Sequence, residues 1–180
     1  IAVLSTACRN RQAPVTAQPA PEIAAPAPTG PSAADRAAAE ARERAERERL
    51  ERERAAAERA RSLSASIYFD LDRSDLSAEA RSTLDAKLGI LTSSPEIRIS
   101  IAGHTDERGS DEYNMALGQR RAAAARRYLV QRGIAANRID ITSFGEERPV
   151  CSESFEGCWS QNRRDEFEIT AGGPLARGGS

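Results

Sequence analysis

Gly103-His104-Thr105-Asp106-Glu107-Arg108-Gly109-Ser110-Asp111-Glu112-Tyr113-Asn114 joins an alternating apolar segment to a helical one, and that passage decides the fold. Before it, Ile97, Ile99 and Ile101 alternate with polar residues, as a strand with one buried face requires. After it, Leu117, Ala124, Tyr128 and Leu129 lie along one side of a helix expected over 113–132, with Gly133 placed to close it. Further upstream, Ser66-Ile67-Tyr68-Phe69 reads as a strand, and 77–92 places Ala80, Leu84, Leu88 and Leu91 at helical spacing. Downstream, Ile139-Asp140-Ile141-Thr142-Ser143-Phe144 and Glu166-Phe167-Glu168-Ile169-Thr170 supply two more strands. The order β-α-β-α-β-β describes an α+β domain in two layers, one sheet face covered by two helices, and residues 63–172 suffice for one core.

Asp106 leaves a strand and Arg121 lies on the helix that follows, so one turn brings a carboxylate and a guanidinium near each other. Taken alone, such a pair is either a structural salt bridge or a receptor for a small zwitterion, to which a fixed carboxylate and a fixed donor fork give both strength and geometry. The Gly-His-Thr-Asp turn, Gly109, Tyr113-Asn114 and Leu117-Gly118-Gln119-Arg120-Arg121 form one set of motifs. Tyr68-Phe69-Asp70, Phe144-Gly145 before Pro149, and Asn162-Arg163-Arg164 extend it. In these residues, over 66–171, the chain resembles the OmpA-like C-terminal peptidoglycan-binding domain, most closely the peptidoglycan-associated lipoprotein (Pal) family of the Tol-Pal system.

The resemblance implies non-covalent binding of the meso-diaminopimelate side chain of peptidoglycan stem peptides. Asp106 would accept from the ligand ammonium and Arg121 would clamp its carboxylate, with Thr105, Asn114, Leu117, Phe69 and the backbone around Asp70 lining the pocket. Arg163 is the further wall contact to expect, although the Asn162-Arg163-Arg164 run could equally be a helix cap. The resemblance also implies a TolB-like periplasmic propeller as partner and a place in envelope integrity and cell division. The inserted loop between Cys151 and Cys158 departs from the family pattern.

Catalysis is the weaker reading. His104 is the sole histidine, and with Ser110 or Asp106 it makes neither a triad nor a metal cage, so a packed histidine at a strand end is expected and no metal or cofactor. A wall hydrolase would need a nucleophile with its base, or zinc.

Outside this domain the composition changes. Residues 1–62 hold few large apolar side chains and cannot bury enough surface to offset their ordering entropy. Residues 1–7 are apolar or small and precede Cys8 and Arg9-Asn10-Arg11, resembling the remainder of a lipoprotein signal in which Cys8 is lipidated. Ser5 stands where that family prefers an aliphatic residue, so an ordinary cleaved signal is the alternative. Seven apolar residues are too few to span a bilayer. The expected place is the outer membrane, lipid-anchored and facing the periplasm. Within 8–34, six prolines from Pro14 to Pro31 predict a disordered, semi-rigid linker.

Residues 35–62 are almost entirely Ala, Glu and Arg, with Asp35 as the expected N-cap and Glu40–Arg44, Glu43–Arg47 and Glu48–Arg52 at helical spacing. They predict a solvated rod of about 40 Å. A coiled coil would have Leu50 as its one large knob, and an oligomerising rod protein is the structural alternative for the whole chain. Residues 173–180 are expected to be a flexible tail. A net charge of -1 gives no whole-chain attraction to nucleic acid. Cys151 and Cys158 enclose a short polar loop, where a disulfide would stabilise the fold by about 2–3 kcal/mol and imply an oxidising compartment. Two unpaired surface cysteines are the alternative.

Overall fold

The computed structural model describes residues 30–173. Cys8, the residual signal, nearly all of the linker and the tail from residue 174 lie outside the described residues. Helix α1 runs Ala33–Ser64. Its cap is Ser32, not the expected Asp35: the Ser32 hydroxyl accepts from the Asp35 N–H at 3.1 Å, and the Asp35 carboxylate accepts from the Ser32 N–H at 3.0 Å. This reciprocal arrangement needs the acid three residues inside the helix, which is where Asp35 stands. Ion pairs Glu46–Arg49 (2.6 Å) and Glu48–Arg52 (3.9 Å) lie along its exposed length.

The last turn of α1 is part of the core. Leu63 is 2% exposed. The buried Lys87 donates to the carbonyls of Ser62 (2.8 Å) and Leu63 (2.7 Å) and lies 4.2 Å from the centre of the Phe167 ring. A cation on the free carbonyls of a helix end opposes the helix dipole there, while burial pushes the ammonium pKa down to about 7.

The sheet consists of β1 (Ile67–Tyr68), β2 (Arg98–His104), β3 (Ile139–Gly145) and β4 (Arg164–Ala171), in the order β1-β4-β2-β3. Strands β2 and β3 are parallel, and β4 is antiparallel to both β1 and β2. A parallel pair needs a crossover, which helix α3 (Asp111–Gln131) provides; α2 (Ala78–Ser93), capped by the Ser77 hydroxyl, precedes β2. Leu84 and Leu91 of α2, Ala122, Ala125 and Leu129 of α3, and Ile99, Ile101, Ile139 and Phe167 of the sheet meet in one core. Burial of each large side chain contributes about 1.5–3 kcal/mol.

Two details depart from the expected element order. A short helix α4 (Glu156–Asn162) stands between β3 and β4, and its first turn carries Cys158, which closes the disulfide loop with Cys151. Strand β1 is two residues long rather than four: Phe69 still donates its N–H to the Arg163 carbonyl (2.9 Å), but its own carbonyl accepts from the Arg163 side chain instead of a strand neighbour.

The site owes its position to a contact without side chains. A Cβ placed on Gly103 would lie 2.0 Å from the Gly118 carbonyl oxygen, and one on Gly118 would lie 2.3 Å from the Ser143 hydroxyl. Only glycine at both positions lets α3 approach the sheet this closely.

Candidate functional site

The turn from β2 into α3 is held from both ends. The Asp106 carboxylate accepts from the Arg108 N–H at 3.1 Å, Gly109 takes a φ of +120°, and the Ser110 hydroxyl caps α3 by accepting from the Tyr113 N–H at 3.3 Å. Asn114 donates from its amide to the carbonyls of Asp106 and Arg108, both at 3.3 Å, and also to Glu146. Asn114, Leu117 and Arg121 follow one another at intervals of three and four, so a single helix face carries all three into the site.

Arg121 is fully buried. Its guanidinium donates to the carbonyls of Arg73 (Nε, 2.8 Å), His104 (Nη1, 2.8 Å) and Asp70 (Nη2, 3.1 Å), and it packs 5.0 Å from the centre of the Phe69 ring. Of its five N–H groups, these bonds engage three, leaving donor capacity for a further acceptor. Burial lowers its pKa to about 10, opposed by the negative charges of Asp165 and Asp106, so it stays a cation at neutral pH. Asp165 on β4 is also fully buried, and its carboxylate oxygens make no hydrogen bond among the described residues. Burial drives its pKa well above its ordinary value while the Arg121 charge opposes the rise.

Asp106 and Arg121 do not bond to each other. The Asp106 carboxylate is paired with Arg108 (Nη2–Oδ2 2.6 Å, Nε–Oδ1 3.2 Å) and with Arg163 (Nη1–Oδ2 3.2 Å). Burial acts to raise its pKa, but the hydrogen bonds from Arg108 and Arg163 together outweigh that and hold the carboxyl below its ordinary value. Arg163 is itself fixed, donating to the Phe69 carbonyl at 3.0 Å and to Glu156 at 2.5 Å.

Between these groups lies a cavity of about 300 Å³, with Thr105, Asp106, Asn114, Leu117, Arg121 and Arg163 among its walls. Six of the residues singled out from sequence therefore come together. Phe69 and Asp70 do not join them: they line a separate groove of about 650 Å³ along β1 and the start of α2. Their contribution to the cavity is indirect, through the carbonyls that hold Arg163 and Arg121.

Leu71, Asp72, Arg108, Gly109 and Tyr113 complete the cavity wall and were not among the expected site residues. Arg108 had a signal, since it lies two residues from Asp106, but its partners across the cavity rim are distant in sequence. Its guanidinium stacks 4.1 Å from the centre of the Trp159 ring and comes within 3.7 Å of Glu156. The Cys151–Cys158 loop reaches this rim as well, because Ser154 and Trp159 both donate to the Glu107 carboxylate (2.7 and 3.1 Å). Asn162 pins the loop, accepting from the N–H groups of Val150 and Cys151 and donating to the Cys151 carbonyl.

His104 packs behind the site, buried and stacked on Phe144 at 5.5 Å, with neither ring nitrogen hydrogen-bonded among the described residues. Burial and the nearby Arg164 lower its pKa to about 4. Among the described residues no group of three His, Cys, Asp or Glu side chains could hold a metal, and no helix is long and apolar enough to cross a membrane.

The OmpA family profile matches residues 68–163. The chain is 52% identical over 98 residues to the peptidoglycan-associated lipoprotein of Brucella melitensis, covering 54% of this chain and 58% of that protein. It is 48% identical over 103 residues to the peptidoglycan-associated lipoprotein of Pseudomonas aeruginosa, covering 57% and 61%. The matched region thus spans less than two thirds of either relative. A crystal structure of the peptidoglycan-associated lipoprotein from Burkholderia pseudomallei superposes with a TM-score of 0.57 at 40% identity, covering 58% of this chain and 88% of that one.

Proposed function

This chain belongs to the OmpA family, and from that premise we propose that it binds peptidoglycan without cutting it, gripping the meso-diaminopimelate side chain in the cavity between Asp106 and Arg121. The observation that carries the reading is the separation of the two charges. They line one cavity, each is fixed by its own neighbours, and they leave the space between them open. A side chain ending in an ammonium and a carboxylate on one carbon matches that pair in sign, with Asp106 for the ammonium and the remaining Arg121 donors for the carboxylate.

The relatives' names support the wall as the target and a lipid as the anchor. The reading therefore extends to a lipid on Cys8 that holds the chain in the outer membrane, facing the periplasm. It also extends, through the family resemblance alone, to a TolB-like propeller as partner within a Tol-Pal system. Mass spectrometry of the mature N-terminus tests the anchor.

Co-sedimentation with purified sacculi tests the grip. Removing one charge-assisted contact in Asp106→Ala should weaken retention by about 10-fold or more. Equal retention of wild type and variant, or none of either, would sink the reading.

A further inference from the structure

The Asp106 carboxylate has no free acceptor site. Oδ1 accepts from the Arg108 N–H (3.1 Å) and Arg108 Nε (3.2 Å), and Oδ2 accepts from Arg108 Nη2 (2.6 Å) and Arg163 Nη1 (3.2 Å). A carboxylate offers about four lone-pair sites, so a fifth donor can bond only by replacing one of these. The four donors are not equally replaceable. The Arg108 N–H is fixed by the turn. Arg163 is 6% exposed and held at both ends, by the Phe69 carbonyl and Glu156. The Arg108 side chain is 32% exposed, lies over the Trp159 ring with its guanidinium carbon 4.1 Å from the ring centre, and has a second carboxylate oxygen, Glu156 Oε2, 3.7 Å away.

We infer that the Arg108 side chain is a displaceable plug on the ammonium subsite, and that ligand binding exchanges this guanidinium for the ligand's ammonium while Arg108 moves over Trp159 onto Glu156. The inference rests on the diaminopimelate reading of the cavity. In the absence of ligand the plug supplies two further donors to Asp106, so that the buried carboxylate does not rely on Arg163 and the Arg108 N–H alone. It also sets a threshold for occupancy, because only a cation that bonds Asp106 while its own carboxylate engages Arg121 gains a second contact to offset the lost pair. A simple amine gains no such contact. Arg108 is therefore a specificity-determining residue for the zwitterion, with Glu156 and Trp159 as the seat to which it withdraws.

The test is calorimetric titration of the full chain with a soluble stem peptide ending in meso-diaminopimelate, in parallel with Trp159 emission, Trp159 being the sole tryptophan. Arg108→Ala should bind about 2- to 5-fold more tightly than wild type, the scale of one partly exposed ion pair. Glu156→Gln should bind more weakly by a similar factor, and this effect should vanish in the Arg108→Ala background. Saturating peptide should change Trp159 emission in wild type and leave it unchanged in Arg108→Ala. Arg108→Gln, which keeps the side-chain stem, should behave as Arg108→Ala and guards against a packing artefact.

Equal or weaker binding by both Arg108 variants overturns the plug. So does a Glu156→Gln effect that persists in the Arg108→Ala background, since it would then act through Arg163. In either case wild-type binding that depends on Asp106 leaves the cavity reading standing. Absence of peptide binding by wild type and Arg108→Ala alike removes both.

Discussion

Helix α1 and the cavity use the same two kinds of charged side chain and put them to opposite uses. In the Glu46–Arg49 and Glu48–Arg52 pairs of α1, every partner keeps more than half of its side chain in water. Solvent screens such pairs, and their net worth is close to nothing. Around the cavity, Asp106, Arg121, Arg163 and Asp165 are each at most 6% exposed. There each contact fixes a position or a protonation state, and removing one partner leaves the other stranded. The number of charges a segment carries says little about what they do; their access to water says most of it.

The contrast can be broken most forcefully beneath the cavity. Arg121→Met removes three hydrogen bonds to carbonyls and the cation that opposes the burial of Asp165, so chemical denaturation should show a loss of about 3–5 kcal/mol. Adding Asp165→Leu should restore part of it. A double variant no more stable than Arg121→Met alone would show that the two groups do not compensate each other.

His104 gives a smaller, pH-dependent effect. Its pKa of about 4 in the fold lies below the ordinary 6.5, so between those values the unfolded chain binds more protons. The stability it contributes is complete above about pH 6.5 and is lost as pH falls towards 4, by roughly 3 kcal/mol at most. Subtracting the pH profile of His104→Phe from that of wild type isolates this slope from the carboxylates, and a flat difference would contradict it.

The smallest effect belongs to α1. Glu48→Ala should leave the denaturation midpoint unchanged within error, and a clear drop would mean that the exposed pairs do more than their solvation allows.

The layers of the fold were legible because they rest on local periodicity. The alternation of Ile97, Ile99 and Ile101, the spacing of Leu84 and Leu91, and Gly133 with its φ of +101° each record an environment that a few neighbouring residues reveal. Helix α4 left no comparable mark, since seven residues that begin inside a disulfide loop carry too little periodicity to distinguish helix from turn. The cavity was legible in part. Asp106, Asn114, Leu117 and Arg121 lie on one turn and one helix face, so motif and spacing group them. The partners of Asp106 were not legible, because Arg163 reaches it across 57 positions of sequence and Arg108 is steered by Trp159 and Glu156 from a different element. Asp165 was hidden for the same reason. An aspartate at the head of a strand reads as exposed until the strand is seen lodged between β1 and β2, opposite Ile67 and Gly103.

The Lys87 clamp has a mechanical consequence. A helix that leaves a domain through a loose loop lets tension pull the loop taut before anything folded feels it. Here the final carbonyls of α1 are gripped by an ammonium that also rests on Phe167 of the sheet. A pull along α1 is therefore shared between α2, which carries Lys87, and β1, which begins three residues after Ser64 and pairs with β4, the strand whose neighbour in sequence, Arg163, holds Asp106.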